Sequence, residues 1–214
     1  VAKEFLNSKN KKITKECIIC RSKQIKSIAT VLGINFMQCK RCTHVFNKNY
    51  YDNNFLKRFW KKKGDIINVH SHSNQQKYRS NFLSKPKVNL ILKHIKNKKN
   101  LNWLDLACGN GEFLTQVKKR GIKPYGFDLN ANDVSLARTK GLNVYRKDMN
   151  EFYEYAISKN IKFDVATATG YYDVLNDPNK DLQTLTKLIK KTDLCITRSG
   201  ASSLAEIEFF KKLK

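Results

Sequence analysis

The chain has 214 residues, of which 41% are hydrophobic, and a formal net charge of +24. This length permits one α/β domain with its own core and a small additional module. No apolar stretch approaches the length of a transmembrane helix, so the sequence predicts a soluble cytoplasmic protein without a membrane span.

The positive charge raises the question of nucleic-acid binding, because clustered cations gain affinity for phosphates by releasing counterions. Lysine outnumbers arginine 34 to 8, and the lysines are scattered along nearly the whole chain. The best basic and aromatic patch, residues 61–63 beside Phe59 and Trp60, is more typical of a solvated charge run. A nucleic-acid partner is therefore not predicted, and a zinc-stapled nucleic-acid-binding module stays open as an alternative.

Two Cys-x2-Cys pairs lie near the N-terminus, Cys17 with Cys20 and Cys39 with Cys42, separated by eighteen residues. Each pair is a tight turn that directs two thiolates to one point, and four sulfurs complete a tetrahedron around Zn²⁺. A disulfide would need an oxidising compartment, but the first residues are polar and lysine-rich without an apolar h-region, so a signal peptide is not predicted. The spacing predicts a structural zinc ribbon over residues 1–48.

Apolar residues between and after the cysteine pairs predict the small strands of such a ribbon. They are Val31, Leu32, Ile34, Phe36, Val45 and Phe46. His44 is predicted to pack against neighbours and not to bind the metal.

Residues 49–85 combine many aromatic and polar side chains and are interpreted as a linker or lid. His70 or His72 in this segment can supply a general base, although solvated loop histidines are the simpler interpretation. The following residues, 86–97, place apolar side chains at helical spacing and predict a core helix.

A short apolar run at 103–107 predicts a buried parallel strand that ends in a turn containing Gly109 and Gly111. Glycine lets the backbone approach a ligand that a Cβ would exclude. A second strand at 124–130 brings Asp128 to its C-terminal end, where the carboxylate can accept hydrogen bonds from ribose hydroxyls. The pattern indicates an adenosine-containing ligand.

The segments DLACGNGEFL and GFDLN resemble class I S-adenosylmethionine-dependent methyltransferases, although Ala107 replaces the first glycine of their motif. The resemblance implies a Rossmann-like doubly wound α/β sheet over residues 86–214. It also implies a cofactor site, with a loop around the methionine moiety, a ribose acceptor and neighbours of the adenine. Those residues are, in that order, Asp105, Ala107, Cys108, Gly109 and Gly111, then Asp128, then Leu129, Asp148 and Met149.

Together with the cysteine pairs, residues from about 15 to 180 resemble bacterial methyltransferases that carry an N-terminal zinc ribbon, except that Thr43 stands where a glycine is usual. The resemblance implies methyl transfer to a small-molecule or sugar-linked acceptor, in a bacterial surface-glycan pathway. No motif identifies a catalytic residue or the oligomeric state.

The C-terminal third departs from the family pattern. Residues 161–168 predict a fourth strand, but Tyr171, Tyr172, Asp173 and Val174 replace most of the following family segment. A helix is expected at about 180–190 and a fifth strand at 193–197, where Cys195 is expected to be a core thiol. The domain is expected to be C-terminally incomplete, because two further strands are usual.

Residues 193–207 also resemble the uridine-diphosphate-binding segment of the peptidoglycan N-acetylglucosaminyltransferase. This resemblance implies that the turn binds the diphosphate and that Glu206 holds the ribose. The affiliation of the tail at 183–214 therefore stays open, and a nucleotide-sugar glycosyltransferase fragment or chimera is the first alternative function.

Overall fold

The structure is a computed structural model that describes residues 11–31, 33–63, 73–172 and 175–190. The chain forms two units: the first unit comprises residues 1–59 and 175–182, and the second unit comprises residues 60–174 and 183–214. The predicted fifth strand with Cys195, and also Leu32, His70, His72, Asp173, Val174 and Glu206, lie outside the described residues.

The first unit contains two small antiparallel sheets. Its strands are β1 (Lys11–Ile13), β2 (Ile25–Val31), β3 (Ile34–Cys39), β4 (Val45–Asn47) and β5 (Asn49–Tyr51). The sheet orders are β2-β3-β4 and β1-β5. Buried side chains of this unit gather around Met37, Phe46 and the cysteines, while Ile28 and Val31 of β2 are exposed. A core this small usually needs additional stabilisation, such as a bound structural metal ion.

Residues 175–182 belong to the first unit through polar contacts. Arg21 forms an ion pair of 3.0 Å with Asp177, and Asn179 donates to the carbonyl of Ile19 at 2.7 Å. Asn176 donates to the carbonyl of Tyr51. The sequence resemblance includes this stretch in the methyltransferase domain at 86–214. Its contacts with the first unit could not be predicted, because their partners are 125 and 160 positions away in the sequence.

The second unit is built on a parallel sheet with the strand order β8-β7-β6-β9. The strands are β6 (Asn102–Leu106), β7 (Lys123–Asp128), β8 (Asn143–Arg146) and β9 (Val165–Thr167). In its register, Asp105 pairs with Gly126 on one side and with Thr167 on the other. Because all four strands are parallel, their carboxyl ends share one edge, where the loops that follow β6, β7 and β8 meet.

Seven α-helices are described in the chain, and three of them, α4, α5 and α6, connect successive strands of this sheet. Their bounds are α1 (Asn53–Lys63), α2 (Ser73–Arg79), α3 (Lys85–His94), α4 (Glu112–Lys118), α5 (Ala131–Thr139), α6 (Met149–Ser158) and α7 (Pro178–Thr186). Trp103 at the start of the sheet is fully buried and packs in one cluster with Val88, Ile91 and Val117. The predicted α/β fold with a Rossmann-like parallel sheet is thereby confirmed.

Helices α2 and α3 form one continuous helical segment, joined by a π-helical turn at Ser80–Ser84. The side chains of this segment bind those of α4: Arg79 pairs with Glu112, and Gln116 donates to Ser80 at 2.8 Å. The segment overlaps the end of the predicted linker or lid at 49–85 and the core helix predicted at 86–97. None of the helices in the described ranges has the length and hydropathy of a membrane span.

Candidate cofactor and metal sites

The four cysteines of the predicted ribbon lie together in the first unit. All four sulfur atoms are within 4.8 Å of one another. The Sγ atoms of Cys17 and Cys42 are 3.6 Å apart, and those of Cys20 and Cys39 are 3.5 Å apart. Sulfurs at the corners of a tetrahedron with Zn–S bonds of about 2.3 Å would be about 3.8 Å apart. The cluster therefore has the size and donor set that Zn²⁺ requires, and His44, which stacks on Phe46, is not part of it.

The backbone of the second knuckle favours the thiolate form of Cys39. The N–H groups of Cys42 and Arg41 point at its sulfur, at 3.5 and 3.4 Å, and they lower the pKa of Cys39 to about 6. Burial acts in the opposite direction on Cys42 and raises its pKa to about 12. Since a metal binds thiolates, zinc binding to this cluster must release protons.

A residue in the left-handed region of the backbone follows each pair of cysteines. Arg21 has a φ of 58° and Thr43 a φ of 60°. In each knuckle the N–H of this residue donates at 3.0 Å to the carbonyl of the first cysteine. The left-handed conformation explains why glycine is usual at position 43, because it costs a residue with a Cβ about 1–2 kcal/mol.

The loop after β6 has the backbone that its glycines predict. Ala107, Gly109 and Gly111 all have positive φ values, of 48°, 53° and 75°. Ala107 therefore adopts the left-handed conformation that the family pattern assigns to a glycine. Lys140 holds the loop from outside, since its Nζ donates to the carbonyl of Asn110 at 2.8 Å.

The two glycines of this loop have different surroundings. A Cβ added to Gly109 would meet no atom within 4 Å, so the backbone there faces open space. A Cβ added to Gly111 would overlap Cδ1 of Leu142 and come within 3.2 Å of Cβ of Ala137. Gly111 thus permits packing against α5 and the loop after it, whereas Gly109 leaves room beside the loop for a ligand.

Asp128 ends β7 and ties the glycine loop to the neighbouring strand. Its Oδ2 accepts a hydrogen bond of 2.9 Å from the N–H of Gly109, and its Oδ1 accepts one of 2.8 Å from the N–H of Asn130. Asn130 then caps α5 by accepting from the N–H groups of Asn132 and Asp133. Each carboxylate oxygen has further acceptor capacity, so Asp128 is both fixed and able to bind hydroxyl groups.

Asp105 lies deeper in the same edge and is only 1% exposed. Its Oδ1 accepts a hydrogen bond of 2.6 Å from the hydroxyl of Thr167. Among the residues that the structure describes, its buried Oδ2 has no hydrogen-bond partner. Burial raises the pKa of Asp105 to about 7, although the bond from Thr167 lowers it. A buried oxygen of this kind fits a site for a positively charged or donating ligand group.

The other predicted neighbours of the adenine lie along the same edge. Asp148 caps α6, accepting from the N–H of Glu151 at 2.9 Å while Glu151 accepts from the N–H of Asp148. Met149 is buried behind it, and the carbonyl of Leu129 accepts from Arg146 at 3.3 Å. The carboxyl ends of β6, β7 and β8, with the loops after them, therefore bring the predicted cofactor residues to one edge of the sheet, where Cys108 is buried.

One residue of this edge, Thr167, is not predicted from the sequence, and the contacts of Tyr171 and Trp103 are not predicted either. Thr167 ends β9 and is fully buried, and Tyr171 follows it with its ring 6.1 Å from that of Phe127. Trp103 belongs to the predicted buried strand, and its Nε1 also donates to Thr167 at 3.1 Å. Their local sequence carries no signal, because the strand register alone places Thr167 beside Asp105.

The model of the methyltransferase domain family matches residues 75–210. This match spans more than half of the chain, and the chain belongs to that family. The predicted class I S-adenosylmethionine-dependent methyltransferase family is thereby confirmed, with a four-cysteine cluster of zinc-ribbon size near the N-terminus. The match includes the segment 193–207 that also resembles a glycosyltransferase. No curated protein sequence matches the chain.

Solved structures that are similar to this chain include methyltransferases. One is the plantazolicin methyltransferase BpumL in complex with a triazolic desmethylPZN analog and SAH, with 18% identity and a TM-score of 0.51 over 71% of this chain and 61% of that chain. Another is magnesium protoporphyrin IX methyltransferase (ChlM) from Synechocystis PCC 6803 with bound SAM, with 13% identity and a TM-score of 0.53 over 70% of this chain and 77% of that chain. The chain thus spans about three fifths of the length of BpumL. At these identities the likeness shows the fold.

Proposed function

We propose that the chain binds S-adenosylmethionine at the carboxyl edge of its parallel sheet and transfers the methyl group to a small-molecule or sugar-linked acceptor. The observation that carries this proposal is the convergence of Asp105, Gly109 and Asp128 at that edge. A buried acceptor, an open stretch of glycine backbone and a fixed carboxylate lie in the order that the family motif assigns to the methionine, the loop and the ribose.

Each of these residues has a separate task in binding. Asp128 accepts the ribose hydroxyls, and its bonds to the N–H groups of Gly109 and Asn130 hold it in position before the ligand arrives. Gly109 lets the loop backbone approach the ligand. Leu129 and Met149 offer apolar surface to the adenine, with Asp148 beside them as an acceptor for its amino group. Such prior positioning lowers the entropy that binding loses.

The chemistry that the protein must add is mainly alignment. When bound, S-adenosylmethionine supplies a methyl group that is already activated by its positively charged sulfur. The residues of this edge hold the two reactants in line and keep water away, which is the usual contribution of proximity and orientation. Tyr171 lies beside Phe127 and next to the cofactor edge, so it is placed to contact an acceptor.

We assign the acceptor to a sugar-linked or other small molecule of a bacterial surface-glycan pathway. This finer part of the proposal depends on the resemblance to ribbon-bearing bacterial methyltransferases. Solved structures with the same fold include a plantazolicin methyltransferase with a desmethylPZN analog and a magnesium protoporphyrin IX methyltransferase, so the fold does not select the acceptor. The four cysteines would hold Zn²⁺ as a structural ion, since four sulfur ligands leave no position for a substrate.

Calorimetric titration of the zinc-loaded chain with S-adenosylhomocysteine tests the cofactor site. We expect micromolar binding that is lost in Asp128→Ala. The matched control is Asp164→Asn, which changes an aspartate at the opposite, amino-terminal edge of the same sheet, where it accepts from the N–H of Asn102. This control should bind like the wild type.

Two results would contradict the proposal. Wild-type protein that binds uridine diphosphate and not the adenosine ligand would favour the glycosyltransferase alternative. Equal loss of binding in Asp128→Ala and Asp164→Asn would show that the effect of the first variant is a general loss of structure.

A further inference from the structure

A chain of buried polar side chains runs across the adjacent strands β6 and β9, behind the proposed cofactor loop. Trp103, Asp105 and Thr167 lie on adjacent parallel strands, with Asp105 and Thr167 paired in the register. Their exposures are 0%, 1% and 0%. Side chains at i and i+2 of a strand point to the same face, so Trp103 and Asp105 can both contact Thr167 on the neighbouring strand.

The donors in this chain can be assigned from their chemistry. The indole nitrogen of Trp103 only donates, so the 3.1 Å contact makes the hydroxyl oxygen of Thr167 its acceptor. Thr167 has one proton left to give. Its oxygen lies 2.6 Å from Oδ1 of Asp105 and 3.4 Å from the carbonyl of Leu104, so the proton goes to Asp105.

We propose that Trp103 and Thr167 are positioning residues that hold Asp105 through this relay and couple cofactor binding to the loss of one proton from Asp105. The inference depends on the proposed function, because the cationic group that Asp105 would accept is the amino group of the methionine moiety. Oδ2 of Asp105 has no partner among the described residues, and it is the oxygen available to that group.

The charged surroundings of Asp105 favour such coupling. Burial, and to a smaller extent the charge of Asp128 on the neighbouring strand, raise the pKa of Asp105, whereas the bond from Thr167 and the charge of Lys87 on α3 lower it. Burial keeps the thiol of Cys108 neutral by raising its pKa. The ligand-free carboxyl therefore titrates near neutral pH, and an incoming ammonium group stabilises its ionised form.

The proton balance is simple. As the ligand binds, the O–H bond of the Asp105 carboxyl breaks, its electron pair stays on the carboxylate, and the proton passes to the buffer. The ligand's ammonium group keeps its own protons. Binding should then weaken as the pH falls, by about tenfold between pH 8 and pH 6 for a carboxyl that titrates near pH 7.

The test is calorimetry of the full chain with S-adenosylhomocysteine at pH 6, 7, 8 and 8.5, in buffers of different ionisation enthalpy that count released protons. We expect release of about half a proton at pH 7. The control ligand is 5′-methylthioadenosine, which lacks the amino acid moiety and should bind without this pH dependence.

Variants of Thr167 separate positioning from packing. Thr167→Val removes the hydroxyl that favours ionised Asp105. The midpoint of the pH dependence of S-adenosylhomocysteine binding should therefore rise by about one pH unit, and the affinity at pH 7 should fall about fivefold. The deficit should shrink to less than about twofold at pH 8.5. Thr167→Ser keeps the hydroxyl and should behave like the wild type.

A pH-independent affinity of the wild type for S-adenosylhomocysteine would overturn the relay while leaving the proposed function intact. The same conclusion would follow if both ligands showed equal pH dependence, or if the deficit of Thr167→Val were as large at pH 8.5 as at pH 7. Should Thr167→Val fail to fold, the wild-type proton count and the control ligand still decide. Absence of binding by the wild type at every pH would contradict the proposed function itself.

Discussion

The same substitution at the two glycines of the cofactor loop should have different consequences. Gly109 and Gly111 both have positive φ values, so alanine at either position carries the left-handed strain of about 1 kcal/mol. Alanine also restricts the unfolded chain, which offsets part of this cost equally in both variants. The difference between the variants must then come from their surroundings.

The surroundings predict a large difference in stability. At Gly111 the new methyl group overlaps Cδ1 of Leu142, which is 5% exposed and held in a buried cluster with Ala137. Overpacking of this kind costs about 1–3 kcal/mol. We therefore expect Gly111→Ala to lose about 2–4 kcal/mol and Gly109→Ala, which meets no atom within 4 Å, to lose about 1 kcal/mol.

Cofactor binding should show the opposite order. The methyl group of Gly109→Ala occupies the open side of the loop and should weaken binding of S-adenosylhomocysteine at least about tenfold, equivalent to about 1.4 kcal/mol. Urea unfolding and calorimetry measure the two quantities on the same samples. In a Leu142→Ala background, Gly111→Ala should lower the unfolding free energy by nearly as little as Gly109→Ala does in the wild type, because the overlapping Cδ1 atom is gone. Equal destabilisation by both single variants would refute this account of the loop.

Three further predictions concern other parts of the chain. The free energy of unfolding of the ligand-free protein should fall by up to about 4 kcal/mol from pH 4 to pH 7, because Asp105, with its pKa raised to about 7, keeps a proton that the unfolded state has lost. In urea titrations Asp105→Asn should abolish this fall, and an unchanged pH dependence of the unfolding free energy in the variant would contradict the prediction. Cys39→Ser should reduce bound zinc from one ion per chain to none by atomic absorption, and retained zinc would exclude the ribbon site. Glu112→Gln breaks a largely buried ion pair with Arg79 and should lower the unfolding free energy in urea by about 1–3 kcal/mol. The exposed Glu154→Gln should lower it by almost nothing, and equal losses would show that the pair does not stabilise the fold.

Local sequence signals predicted much of this molecule. The apolar run before Gly109 marks a strand, the glycines mark the turn, and Asp128 closes the next strand, because each signal lies within a few residues. The spacing of the two cysteine pairs likewise predicted that four sulfurs converge. The two residues that depart from family glycines, Thr43 and Ala107, keep the glycine conformation with φ values of 60° and 48°.

What sequence could not predict depends on contacts between distant residues. The bond between Asp105 and Thr167 joins positions 62 residues apart and requires the register of two strands. The contacts of Asn176 and Asp177 in the first unit are set by tertiary packing, so a family alignment does not reveal them. Helix α2 was not predicted, because it is short and a π turn separates it from the core helix α3 that the apolar spacing does predict.

The most direct test of the central claim is to locate the ligand on the protein. Amide signals of ¹⁵N-labelled, zinc-loaded chain, assigned and followed during titration with S-adenosylhomocysteine, would report which residues change. We predict the largest shifts in the loops after β6, β7 and β8, above all at Gly109, Asp128 and Met149, with small shifts at Asn102 and Asp164 on the opposite edge. Shifts confined to the cysteine cluster or to the amino-terminal edge of the sheet would contradict the proposed site.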